Sequence, residues 1–302
     1  MSRDSVRITS HAGSWYSSDS KQLSSQLSNW LESCENNISD RKTVRALIVP
    51  HAGYRHSGSC AAHAYRQINA ENIERVFIIG PSHHLAIGDT CALTSVSEYE
   101  TPFYNLKIDH DIYNDLKRQN CFGVITKSQD EAEHSIEMQL PYIAHVMKSR
   151  KNQYAIVPII VGGLSFKKQE FFGNLLSHYL EDEKNLFVIS SDFCHWGKRF
   201  RYQYYKEFDG EIWQSIMKLD HLGLEAIQSL EPTRFKEYLE EYGNTICGRR
   251  GIGILLHMVA SLHQKKTGDM QLEVMQYTQS NRCQTMEDSS VSYAACVLLN
   301  NH

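Results

Sequence analysis

The sequence has little of what would place it in a specialised class. It holds 6 prolines in 302 residues and no proline-rich, low-complexity or repeated stretch, so nothing marks a seam, and one domain over residues 1–302 is expected. The longest apolar run, Ala155 to Leu164, falls well short of the roughly 20 residues that cross a bilayer. Charge of one sign is missing too. Thirty-one basic side chains face 35 acidic ones for a net charge of −4, with no long block of either, which argues against nucleic acid held by bulk electrostatics. The 8 cysteines form no Cys-x-x-Cys pair and are expected to be reduced thiols. The opening MSRDSVRITSHAGSW lacks the apolar stretch of a signal peptide, and Asp4 argues against a mitochondrial presequence. A cytoplasmic protein is expected, with the nucleus left open, and no membrane partner.

What is present is a set of short, continuous apolar runs: Ala46–Val49, Val76–Ile79, Ala155–Val157 with Ile159–Val161, and Leu186–Ile189. Uninterrupted β-branched runs of this length read as strands covered on both faces. Between them lie helical patterns. Leu23, Leu27, Trp30 and Leu31 share one face behind an N-cap at Ser18, Asp19 or Ser20; Phe172, Leu175, Leu176 and Tyr179 share another; Phe235, Tyr238 and Leu239 follow Pro232. Late strands are expected at 271–278 and 290–299. The alternation predicts an α/β domain with a mainly parallel central sheet and helices on both faces.

Three of these strands run straight into polar loops. ALIVP-HAGY delivers His51, VFIIG-PSHH delivers His83 and His84, and LFVISSD-FCHWG delivers Asp192, Cys194 and His195. Ligands of open α/β sheets bind beyond the carboxyl ends of the strands, so these histidines are expected to converge, with Gly53 and Gly80 easing tight turns beside them. One isolated histidine more often caps a strand than serves a site; several at equivalent strand ends point to a shared one.

The segment Glu131–Glu137 reads as part of a helix with Pro141 near a boundary or kink, and would put His134 and Glu137 on one face, as an acid/base pair, an imidazole with its orienting carboxylate, or a helix cap. Cys247 precedes a helix expected from about Ile252, where the helix dipole would favour its thiolate, unless it is a buried structural thiol. Arg249 and Arg250 follow it and could meet an anion, or lie as plain surface charges.

SHAGSWY (10–16), PHAGY (50–54), GSCAAHAY (58–65), GPSHH (80–84), EHSIEMQLPY (133–142), SSDFCHWG (190–197), NTICGR (244–249) and DSSVSYAA (288–295) closely resemble the Memo family, mediators of ErbB-driven cell motility. That family is similar in fold to class III, LigB-type extradiol dioxygenases, which are non-haem iron enzymes. Carried over motif by motif, the resemblance implies His51, His83 and Cys247 as metal ligands, His195 as an acid/base residue and His134 as a further pocket residue. The dioxygenases bind iron through two histidines and a carboxylate, whereas Cys247 stands at the carboxylate position here. A softer donor set favours copper or zinc while still admitting iron, and it counts against ring cleavage.

Three functions are therefore expected, in this order: a metal-binding redox protein signalling to the cytoskeleton, motility or invasive growth; a non-haem iron oxygenase of small aromatic substrates; and a phosphotyrosine-peptide docking module with a vestigial metal.

Overall fold

The continuous apolar runs become the centre of a sheet because all of their residues but Ala155, which is half-buried, are covered on both sides. The computed structural model describes residues 6–36, 38–39, 42–207 and 210–301, so Asp4 lies outside the described residues. The chain order is β1 (Val6–Arg7), α1 (Ser20–Glu32), β2 (Lys42–Val49), α2 (Tyr54–Tyr65), β3 (Arg75–Pro81), β4 (Cys91–Thr94), β5 (Glu98–Tyr99), β6 (Leu106–Lys107), α3 (His110–Arg118) and β7 (Phe122–Ile125). It continues with α4 (Lys127–Ala132), α5 (Leu140–Val146), β8 (Ala155–Val161), α6 (Phe166–Glu181), β9 (Asn185–Ser190) and β10 (His195–Trp196). The last elements are α7 (Ile212–Gln228), α8 (Pro232–Tyr242), α9 (Arg249–Lys265), β11 (Asp269–Gln279) and β12 (Ser290–Asn301).

The main sheet runs β10-β12-β2-β9-β3-β8-β4-β7, with β11 also pairing β12, and β1-β5-β6 form a small second sheet. Only the heart of the main sheet, β2-β9-β3-β8, is continuously parallel; β12 joins β2, and β4 joins β8, antiparallel. The parallel strands are the continuous apolar runs, and Val76 to Ile79 and Leu186 to Ile189 are all buried. Helix α2 packs on β2, β11 and β12, whereas α9 packs on β3 and β9 with α6 against it. Residues Gly251 to Val259 of α9 are buried without a break, the mark of a helix enclosed on all sides.

Register then fixes the site. Val49 of β2 stands opposite Ser190 of β9, and Ile79 of β3 opposite Ile189, so three adjacent strands end at one level. The loops carrying His51, His83 and Asp192 leave side by side. Gly80 is required here by crowding, since a Cβ would sit 2.6 Å from Ser135 Oγ; neither Gly53 nor Gly80 has a positive φ, so the expected role in tight turning is replaced at Gly80 by close approach.

The expected continuous helix around 131–137 is broken. Helix α4 ends at Ala132, Glu133 is extended, a single turn of 3-10 helix covers Glu137–Gln139, and α5 carries Pro141 in its first turn. The break has a cause in Arg7. Its Nη2 donates to the carbonyls of Asp130 (3.0 Å) and Glu133 (2.9 Å), its Nε to Asp130 Oδ1 (3.1 Å), and its Nη1 to Ile8 O (2.9 Å) and Glu137 Oε2 (2.7 Å). All five N–H donors of a buried guanidinium are satisfied, and the bonds to the carbonyls pull the segment out of helix.

Candidate metal centre

His51 is held in one tautomer by a chain of hydrogen bonds that starts in the core. Tyr65 Oη donates to Gln139 Oε1 (2.9 Å), which orients the amide so that Nε2 donates to Ser190 Oγ (2.9 Å) and Pro50 O (3.0 Å). The Ser190 hydroxyl gives its only proton to Ser135 O (2.7 Å). Its oxygen, 2.8 Å from His51 Nδ1, can therefore only accept there, which puts the imidazole proton on Nδ1 and leaves the Nε2 lone pair facing the site. Burial, then the neighbouring His83, hold the His51 pKa well below the ordinary histidine value, so the ring is neutral.

His83 is set in the same way by a carboxylate. Glu133 Oε1 accepts from His83 Nδ1 (2.9 Å), and Oε2 accepts from the His83 backbone N–H (2.6 Å). Burial alone would raise the Glu133 carboxyl, but the hydrogen bonds and charge from His83 outweigh it and keep the group ionised. His134 stacks on His83 with ring centroids 4.4 Å apart and an interplanar angle of 18°. Burial, followed by His51 and His83, lowers the His134 pKa to about 3, so it too is neutral.

The expected pairing of His134 with Glu137 is overturned. Glu133 is the carboxylate at His134, with Oε1 3.5 Å from its Nδ1 and accepting its backbone N–H at 2.9 Å. Glu137 is fully buried and turns to Arg7, His11 and Tyr16. The i, i+3 argument fails because these residues are not in one helix.

Cys247 lies where β9 and α9 meet. Helix α9 begins at Arg249, earlier than the expected Ile252. A Cβ on Gly248 would stand 2.4 Å from Ser191 Cβ and 2.5 Å from Ser190 O, so glycine lets this turn press against the strand end. Cys247 Sγ accepts the Asp192 backbone N–H at 3.1 Å and lies 3.1 Å from His51 Nε2, to which its thiol donates. Burial, then the Asp192 charge, push the thiol pKa up. The expected stabilisation of the thiolate by the helix dipole is thus outweighed, and the cysteine carries its proton.

The donors of His51, His83 and Cys247 all lie within 4.8 Å of one another; Nδ1 or Nε2 of His83 and His134 and an oxygen of Glu133 form an overlapping group of the same size. His195 stands at the rim. Its Nδ1 lies 2.9 Å from Phe193 O and 3.2 Å from Thr245 O, two acceptors that place the proton on Nδ1 and leave Nε2 as a base. Asp192 Oδ1 accepts the His51 and Ala52 backbone N–H groups at 2.8 and 3.3 Å, fixing the histidine loop. Two cavities flank the cluster. One, of about 800 Å³, is lined by His83, His195, Cys247, Arg249 and Arg250. The other, of about 550 Å³, is lined by Trp15, His51, His134, His195, Arg55 and Arg199 among others.

Sequence reasoning singled out neither Glu133 nor the amino-terminal segment as part of the site. Trp15 packs on His134 with ring centroids 4.6 Å apart and on His11 at 5.4 Å. His11 bonds to Glu137 through Nδ1 and its backbone N–H, both at 2.8 Å. SHAGSWY carried a signal, a histidine and a tryptophan beside a glycine, but only its long-range contacts with Glu137 and His134 show where it lies.

Comparison with known proteins agrees with the family resemblance carried by the sequence motifs. The family profile described as Memo-like protein matches residues 7–297. Protein MEMO1 of Homo sapiens and that of Rattus norvegicus are each 50% identical over 292 residues, covering 97% of this chain and 97% of the relative. Protein memo-1 homolog of Caenorhabditis elegans is 45% identical over 97% of this chain and 82% of its own length. A solved structure of an uncharacterized Escherichia coli K12 protein aligns with a TM-score of 0.49 at 11% identity, over 82% of this chain and 98% of that one, a likeness too slight to add to the assignment. Half the residues are shared along nearly the whole length: the chain belongs to the Memo family.

Proposed function

We propose that this chain is a metal-binding redox protein of the Memo type, acting in signalling to the cytoskeleton and cell motility. His51 Nε2, His83 Nε2 and Cys247 Sγ would hold one ion, copper or iron, with zinc a further candidate. The observation that carries the reading is the convergence of these donors within 4.8 Å, with Nδ1 of both imidazoles committed elsewhere. The donor set fits such an ion: with Nδ1 of each ring bonded elsewhere, His51 and His83 can each present Nε2, and the thiol that would complete the set must lose its proton, so uptake should release protons. Bound there, the ion would supply one-electron redox chemistry, and the soft thiolate favours copper. Around it this chain supplies a base at His195 Nε2, a stacked neutral His134, and Asp192 fixing the loop.

A second reading is a working non-haem iron oxygenase of small aromatic substrates. His195 favours it, since the residue lines both cavities with Nε2 free to take a proton. Cys247 in the carboxylate position counts against ring cleavage. The cavity bearing Arg55 and Arg199 suits the phosphotyrosine peptide of the third. The same proposal places the protein in the cytoplasm, with the nucleus left open; among the described residues no helix is long and apolar enough to cross a membrane.

Anaerobic purification, elemental analysis and an oxygen-consumption screen with catechols separate these readings. Stoichiometric copper without turnover supports the first, and iron with catechol-dependent oxygen uptake supports the second. Metal content that is unchanged in Cys247→Ser overturns the ligand assignment.

A further inference from the structure

Two arginines that the donor cluster does not use open onto the larger of its two cavities. Arg249 and Arg250 begin α9, directly after the turn that positions Cys247, and are half-buried. Each commits one N–H to a backbone carbonyl, Arg249 Nη1 to Ile246 at 2.8 Å and Arg250 Nε to Leu164 at 3.2 Å. These bonds hold the guanidiniums in place and leave most of their donors unused. Among the described residues, neither arginine forms an ion pair with a carboxylate. Glu240 shares a smaller neighbouring hollow with both, and it is engaged by Lys236 at 3.3 Å. Adjacent, partly desolvated cations without an internal counter-ion are costly to keep together.

The cavity itself says what kind of anion would settle there. Its volume of about 800 Å³ is that of a small-molecule site, and Leu85, Ile87, Val161 and Leu239 give it apolar walls. His83 and Cys247 line it as well. A planar carboxylate matches the guanidinium fork, while the walls suit an apolar body and not a compact, strongly hydrated phosphate.

We propose that Arg249 and Arg250 form an anchoring subsite for a small organic acid, holding its carboxylate while its apolar body lies in the cavity shared with His83 and Cys247. This goes beyond the metal reading, because the subsite needs no metal to bind its acid. It also assigns the two cavities different tasks, the arginine pair admitting the small molecule.

The test is calorimetry or ligand-observed NMR on the purified full-length chain, with benzoate, phenylacetate and phenylpropionate each compared with its neutral amide. The acid should bind at least about tenfold more tightly than the amide for one or more lengths. Arg249→Gln and Arg250→Gln should each remove most of that preference, with circular dichroism confirming the fold. A chelator, which would strip any bound ion while leaving every lining residue in place, should leave the preference intact, so the subsite stands or falls apart from the metal reading. No acid preference in any pair overturns the proposal without recourse to a variant. So does a preference that survives in the double arginine variant.

Discussion

Replacing Arg7 with methionine should destabilise the protein more than almost any other single substitution outside the apolar core. The guanidinium is 1% exposed and makes bonds to Asp130, Glu133, Ile8 and Glu137 with all its donors. Removing one member of such a buried ionic network costs about 3–5 kcal/mol, because the remaining charges stay out of water without their partner. Unfolding entropy near 2.1 cal/mol/K per residue, over 302 residues, converts that loss to a fall in Tm of about 5–8 °C.

The pH dependence gives a sharper signature. Burial pushes the Glu137 carboxyl up, but the hydrogen bond from His11 and the charge of Arg7 outweigh it and bring the pKa from 4.5 down to about 2. The folded value lies below the unfolded one, so the stabilisation is fully present above pH 4.5 and is lost as pH falls through about 2. That shift corresponds to about 3 kcal/mol. Without Arg7 the folded carboxyl titrates higher and the variant loses less on acidification. Asp130, already raised by burial against the pull of Arg7, moves the same way. The gap between the natural chain and Arg7→Met should therefore narrow between pH 4.5 and 2. Thermal melts followed by circular dichroism across that range check both points. A Tm change under about 2 °C at neutral pH, or a gap that widens in acid, would refute the reasoning.

Cys247→Ser should weaken copper binding severely while Cys247→Asp moves selectivity towards iron, as competition titrations of the two metals would show. Glu133→Gln, which removes the carboxylate that orients His83, should cost about tenfold to a hundredfold in metal affinity and also lower Tm, since its amide NH2 must face a backbone N–H that the carboxylate now accepts; an unaltered affinity would mean the ring holds its pose alone. Gly248→Ala should cost about 1–3 kcal/mol, since the added methyl must displace strand backbone at Ser190, and an unchanged denaturation midpoint would show that the turn has room.

The sheet and the three histidine loops were legible because their signals are local: a continuous apolar run, then a polar residue at its carboxyl end. Asp19 caps α1 as its position before Leu23 suggests, with Oδ1 accepting from Gln22 N at 2.7 Å. The mixed direction of the sheet was not legible, since nothing within β12 says that it will lie between β2 and β10. Nor was the role of Glu133. The pattern around Ile136, Leu140, Ile143 and Met147 reads as one helix, and only a guanidinium supplied from more than a hundred residues away breaks it. Cys247 was the reverse case. The proposal that it is a metal donor came from the family resemblance, and the structure supplies its neighbours, while burial reverses the electrostatic effect that its place before a helix suggests.

The position of β2 has a consequence for how the protein is made. Its neighbours in the finished sheet are β9 and β12, the latter ending at Asn301. A chain emerging from the ribosome therefore exposes β2, an apolar strand with both hydrogen-bonding edges bare, until β9 follows it. The other edge waits for β12, so β2 is sealed on both sides only once that strand has emerged. Ribosome-stalled chains lacking β12 should depend on chaperones to stay soluble, and damage within β12 would be felt first at the strand that delivers His51.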